Sequence, residues 1–120
     1  MLNLDSHILV ALLDDTLTSR EEELIVDQPL AISDIVLWEL AKLVELDRLE
    51  IDLESAAFAA ILARLTIIPI SAPVAVTSTR LDFRSDPADQ LIAATSVVHR
   101  IPLVTRDRRI RRSKVVPLAR

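Results

Sequence analysis

Short apolar runs alternate with longer amphipathic segments along the chain. "LNL" (2–4), "PLAI" (29–32), "TIIPI" (66–70) and "PLVT" (102–105) have the length and content of buried strands. Pro69 marks the third as an edge or strand end. "KVVPL" (114–118) predicts a last strand. Helical periodicity runs through "SHILVALLDD" (6–15), "SREEELIVDQ" (19–28), "SDIVLWELAKLVELDR" (33–48) and "DLESAAFAAILARL" (52–65). It continues in "PVAVTSTRLD" (73–82) and "DPADQLIAATSVVHR" (86–100), and "RDRRIRR" makes a short turn or helix. Ser33 is an N-cap candidate. Asp86 is another, with Pro87 in the first helical position. Strand–helix alternation of this kind predicts an α/β fold, three layers deep, with a mainly parallel sheet. Trp38 and Phe58 read as core.

The 120 residues predict a single domain over 1–120, and 51% hydrophobic content supplies a sizeable core. The apolar runs fall short of the about 20 residues that a membrane span needs. "MLNLDSH" has no positive region and no signal-like stretch, so the expectation is a cytoplasmic protein with no membrane partner. The chain contains no Cys and no Gly. Absence of Cys removes disulfides, zinc–thiolate sites and thiol nucleophiles. Absence of Gly removes the phosphate loops and dinucleotide turns that need positive φ and close backbone approach, and with them the nucleophile elbow. An aromatic content of 2% argues against a base-stacking platform.

Net charge is −4, but it is unevenly spread. Residues 1–99 carry 17 acids and 6 bases, whereas residues 100–120 carry one acid and 8 bases. An acidic body with a basic end suits a polyanion partner near a cation site, or merely a basic surface on the last elements.

Ligands of an open parallel sheet bind at the carboxyl ends of its strands. Asp5 follows the first strand, Ser33 the second, and Asp107 the strand "PLVT". Asp86 and Asp89 open a helix at the same edge, and Glu39 lies about one and a half turns into its helix. Acids distant in sequence can thus meet. Clustered carboxylates raise one another's pKa, and a hard divalent cation relieves this. Such a cation activates water and neutralises charge on a phosphodiester. Each residue also has a plain structural reading. Asp5 suits a strand-to-helix turn, Ser33 a cap, and Glu39 a solvated stripe with Lys42 and Glu45. Asp86 and Asp89 resemble a capping box, and Asp107 suits a pair with a neighbouring Arg. His7 and His99 are too isolated for a metal site or a dyad, and His99 suits a helix C-terminus.

The blocks "NLDSH", "ISDIVLWELAKL", "DPADQLIAAT" and "LVTRD", spread from residue 3 to about 112, resemble the PIN-domain ribonucleases, and most closely the VapC-type toxins of prokaryotic toxin–antitoxin pairs. The resemblance implies a three-layer α/β/α fold and Mg²⁺- or Mn²⁺-dependent endonuclease activity on RNA. It also implies a homodimer and a cognate antitoxin that blocks the acidic pocket. By motif, Asp5, Glu39, Asp89 and Asp107 match the family's catalytic and metal-binding acids. Asp86 matches an extra acid of many toxin-like members, and Ser33 a small polar residue near the site. Arg106, Arg108 and Arg109 are expected to steer substrate phosphates. The chain departs from the family pattern in its very short first strand. Gln90 stands where many members carry Arg or Lys, and "ELDRL" replaces a common Gly. A non-catalytic module gripping RNA or protein with its basic end is the alternative. Action on DNA or on small phosphoesters is a third reading.

Overall fold

Four short strands are interleaved with seven helices. The computed structural model describes residues 1–120. Strand β1 (Leu2–Leu4) leads into α1 (Ser6–Leu13) and α2 (Ser19–Ile25). Next come β2 (Leu30–Ser33), α3 (Ile35–Glu45), α4 (Ala56–Leu62), β3 (Leu65–Ile68) and α5 (Ala72–Ser78). The chain closes with α6 (Pro87–His99), β4 (Leu103–Val104) and α7 (Arg108–Arg111). The sheet order is β3-β2-β1-β4, and every neighbouring pair is parallel. Parallel strands require crossovers, which lay helices over the sheet. Successive strand residues face opposite sides. All three residues of β1 are buried, so both faces of the sheet are covered. Leu4, Ile32 and Leu103 from the strands meet Ile8 and Leu9 of α1, Val36 and Leu40 of α3, Ile92 of α6 and Ile110 of α7 in one core. No helix is long and apolar enough to cross a membrane.

The predicted alternation and the edge position of β3 are both present. Four expectations change at the level of single residues. Ser33 does not cap α3: it completes β2 and is fully buried, and Asp34 takes the N-cap position. The Ser33 hydroxyl still accepts from the Ile35 N–H (3.3 Å). Helix α4 starts at Ala56 rather than near residue 52, because Asp52 folds a turn of its own onto the Glu54 N–H and Ser55 then caps the helix through the Phe58 N–H. "KVVPL" makes only an isolated parallel bridge, Leu103 to Leu118. Strand β4 has just two residues, and Pro117 has no N–H to extend the ladder. Phe58 is core, but Trp38 is 55% exposed, its ring 5.8 Å from Lys42 Nζ one turn along α3. A Lys stem and an indole cover each other on a solvent face, which needs no burial in the core.

Helix ends in a chain without Gly must find positive φ elsewhere. Asp15, Asp27 and Asp47, just past α1, α2 and α3, and Arg100 at the end of α6 adopt φ of 56–60°. Asp tolerates this region better than most residues, so three of the four positions are filled by it.

One buried polar side chain ties the sheet to α6. Asn3 in β1 is inaccessible to solvent, and its Nδ2 donates to the Ile92 carbonyl (3.2 Å) and to Ser96 Oγ (2.9 Å). Asn3→Ala removes both bonds and takes from the buried Ser96 hydroxyl its donor from β1. The expected loss is about 2 kcal/mol of unfolding free energy, read by urea denaturation.

Candidate active site

Strands β1 and β4 run side by side and end at the same edge, with Leu4 opposite Val104. Asp5 therefore emerges beside Thr105, and its N–H donates to the Val104 carbonyl (3.1 Å). The Asp5 carboxylate is 1% exposed, and both oxygens are held. Oδ1 accepts from the Ser6 N–H (2.8 Å), capping α1, and Oδ2 accepts from Thr105 Oγ1 (2.6 Å). Thr105 Oγ1 in turn accepts from the Asp107 N–H (3.1 Å). Asp107 caps α7, with Oδ1 accepting from the Arg109 and Ile110 N–H groups (2.8 and 3.0 Å). Its second oxygen takes no part in the cap. The plain reading of Asp5 as a strand-to-helix turn residue is thus satisfied, whereas Asp107 forms no ion pair with a neighbouring Arg and caps α7 instead.

Asp86 occupies the N-cap of α6, but its side chain makes no cap hydrogen bond. The expected Asp86–Asp89 capping box is not formed. The structure builds one at Thr18 and Glu21 of α2 instead. The Asp89 carboxylate is engaged by Ser85, whose hydroxyl donates to Asp89 Oδ2 (2.9 Å). Gln90 secures the same segment. Its Oε1 accepts from the Ser85 N–H (3.2 Å) and its Nε2 donates to the Ser78 carbonyl (2.8 Å). Gln90 thus pins α6 to α5 where the family pattern carries a cation.

Glu39 does not join the solvated stripe of α3, which consists of Lys42 and Glu45 paired at 2.9 Å. Its Oε1 is fully shielded and has no hydrogen-bond partner. Burial, then the nearby charges of Asp89 and Asp5, push its carboxyl up to about 7, against a hydrogen bond from Ser6. Asp89 is also raised, first by burial and further by Asp5, Asp107 and Asp86, with the Ser85 bond opposing. Asp5, Glu39, Asp86, Asp89 and Asp107 thus form one electrostatic group. No three of them stand as a ready ligand cage. His7 and His99 are both exposed, with His99 in the last turn of α6.

A cavity of about 540 Å³ opens beside Asp86, Asp89 and Asp107 of this group, walled by them and by Ser85, Arg108, Arg109 and Arg112, with no hydrophobic residue in its lining; Asp5 and Glu39 lie outside its wall. Arg109 is partly tied down, since its Nη1 donates to the Arg84 carbonyl (2.6 Å). Arg106 is placed elsewhere than expected. Its guanidinium grips both Glu21 oxygens (2.6 and 2.7 Å) and faces α2 instead of the acids. Sequence reasoning missed Ser85, Thr105 and Arg112. A hydroxyl residue within two positions of a candidate acid, Ser85 before Asp86 and Thr105 before Asp107, was the available signal for the first two.

The raised Glu39 fixes the sign of a pH effect. A carboxyl that binds its proton more tightly in the folded chain loses stability as pH rises from about 4.5 through about 7. Glu39→Gln, which keeps the shape without the charge, is expected to raise the melting temperature by about 4 °C at pH 8 and to leave it unchanged at pH 4.5. Thermal melts at the two pH values check this.

The sequence matches the PIN domain family over residues 3–115. A relative in Mycobacterium tuberculosis, Ribonuclease VapC22, is 39% identical over 85 residues. That match covers 68% of this chain and 65% of the relative, so the chain spans just under two thirds of its length. Among solved structures, VapBC2 from Rickettsia felis, bound to a DNA fragment from its promoter, superposes with a TM-score of 0.74 and 25% identity, covering 98% of this chain and 97% of the other. A toxin–antitoxin complex from Klebsiella pneumoniae shares the fold at a TM-score of 0.69 and 23% identity, over 89% and 87% of the two chains. A domain-wide match and a relative of this similarity, on the same parallel α/β frame, make the chain a member of the PIN domain family.

Proposed function

We propose that the chain is a metal-dependent endoribonuclease, the toxin of a toxin–antitoxin pair, and that it works in the cytoplasm. The carrying observation is Glu39: a shielded carboxylate oxygen without a partner, on a group that Asp89 and Asp5 already disfavour as an anion. Such an arrangement is costly unless something positive completes it. The donors are all hard oxygens, the set that suits Mg²⁺ or Mn²⁺. Asp5, Glu39 and Asp89 would hold the ion, with the uncommitted oxygen of Asp107 assisting and Asp86 at the rim. When bound, the cation supplies a water of lowered pKa and offsets charge on the phosphodiester.

The remaining work falls to the chain's own side chains. Thr105 and the Ser6 N–H fix the Asp5 carboxylate, and Ser85 fixes Asp89. Ser33, buried at the end of β2, steadies the first turn of the helix that carries Glu39. Arg108, Arg109 and Arg112 place positive charge on the cavity wall, where they attract and orient the phosphate backbone. RNA as substrate draws support from the 39% identical relative, itself named a ribonuclease. An antitoxin partner draws support from structural neighbours solved as toxin–antitoxin complexes. A homodimer is supported by the exposed apolar residues Ile67, Ile70 and Val76, which follow one another from edge strand β3 into α5.

Cleavage of a labelled single-stranded RNA is expected with Mg²⁺ or Mn²⁺ and is expected to cease with EDTA. Asp89→Asn is expected to slow it by at least about 100-fold. Cleavage that survives both treatments would overturn the metal reading. RNA binding without metal-dependent products would favour a non-catalytic module.

A further inference from the structure

A second cavity, of about 500 Å³, lies against the first. Its walls come from the start of α2, the end of β4, α7 and the last residues, and they include Arg20, Arg106, Arg108, Arg111 and Arg120. Glu21 is its one acid, and Arg106 takes up both carboxylate oxygens. Burial of that carboxylate within the bidentate pair leaves it no capacity for the other cations. Arg20 has only an exposed contact to Glu23 at 3.5 Å, a pair of little strength. Arg111 donates one Nη1 to the Thr105 carbonyl (3.2 Å) and keeps its other donors. No acid in the cavity balances Arg20, Arg108, Arg111 and Arg120.

Two side chains join this cavity to the acid site. Arg108 lines both cavities. Thr105, whose hydroxyl holds Asp5, lines the arginine cavity. An anion seated among the arginines therefore lies along the same edge of the sheet as the reacting phosphate. A polymer with a phosphate at every unit satisfies both places at once. Guanidinium forks match phosphate oxygens in pairs.

We propose that the arginine cavity binds backbone phosphates of the RNA strand to one side of the scissile bond, so that the enzyme grips several nucleotides beyond the acid site. The inference rests on the ribonuclease reading above. Aromatic residues are almost absent from the chain, and Trp38 stands on the solvent face of α3, outside both cavities. Grip here comes from phosphates, not from stacked bases. It is therefore steeply salt-dependent and indifferent to sequence at those nucleotides.

The test measures binding of labelled 12-nucleotide and 4-nucleotide single-stranded RNAs by fluorescence anisotropy. EDTA is present to prevent cleavage, and KCl is increased stepwise. Wild type is expected to bind the longer RNA at least about tenfold more tightly. Arg20→Ala and Arg120→Ala together are expected to remove most of that difference while the 4-nucleotide affinity stays the same. The salt slope for the longer RNA is expected to fall by about 0.7 for each phosphate that no longer meets a guanidinium. Arg64→Ala, an exposed change outside both cavities, serves as the charge control, and melting curves confirm that each variant is folded. Unchanged affinity and slope in the double variant overturn the proposal, as does a wild type that does not bind the 12-nucleotide RNA. Retained RNA binding with lost binding of a 12-residue poly-glutamate peptide also overturns it, and assigns the cavity to an acidic protein partner. Cleavage by wild type, read separately with Mn²⁺, tells a failed cavity from a failed ribonuclease reading.

Discussion

Five carboxylates gathered at one edge of a parallel sheet repel one another, and much of the surrounding structure answers that repulsion. Asp5 and Asp107 accept backbone N–H groups at the starts of α1 and α7, and Asp86 and Asp89 sit at the start of α6. Helix N-termini favour negative charge, so four of the five acids stand where the backbone tolerates them. Glu39 is the exception. It projects from the interior of α3, with no backbone donor within reach and one oxygen unpartnered. Burial first, and then the charges of Asp89 and Asp5, raise its carboxyl to about 7.

The hydrophobic core and the acid group depend on the same contacts. Strand β1 is three residues long, yet it delivers Asp5 and borders both β2 and β4. So short a strand cannot hold its register by ladder bonds alone. Asn3 adds a lateral tie to α6, the helix that carries Asp89, from inside the apolar core. Across the edge, Thr105 links the ends of β1 and β4 through Asp5. Further out, the Arg106–Glu21 pair fastens α2 to the same turn, and it holds the Glu21 carboxyl down at about 2.

Signals local in sequence made much of this legible. Apolar strands, Pro87 at a helix start, and acids placed just after strands or at helix starts all act through neighbours in the chain, and their elements appear as expected. Less legible was anything decided by partners far away. Arg106 reads as one more cation of a basic tail until Glu21, 85 residues distant, claims it. The Asp86–Asp89 spacing fits a capping box by rule, and only the fold shows Ser85 engaging Asp89. Trp38 has the composition of a core residue, but its helix turns that face outward, beside Lys42. Ser33 fails as a cap by one position, because the ladder with β3 continues through it, opposite Ile68.

The positive-φ helix ends bear on the unfolded chain as well as the folded one. Glycine would relieve the backbone at Asp15, Asp27, Asp47 and Arg100, but it would also widen the set of conformations open before folding. A chain with no glycine and six prolines begins folding from a narrower ensemble, and so has less entropy to lose. The local tension at four turns is thus offset across all 120 residues. That trade suits a small domain whose acid-lined edge adds repulsion instead of cohesion.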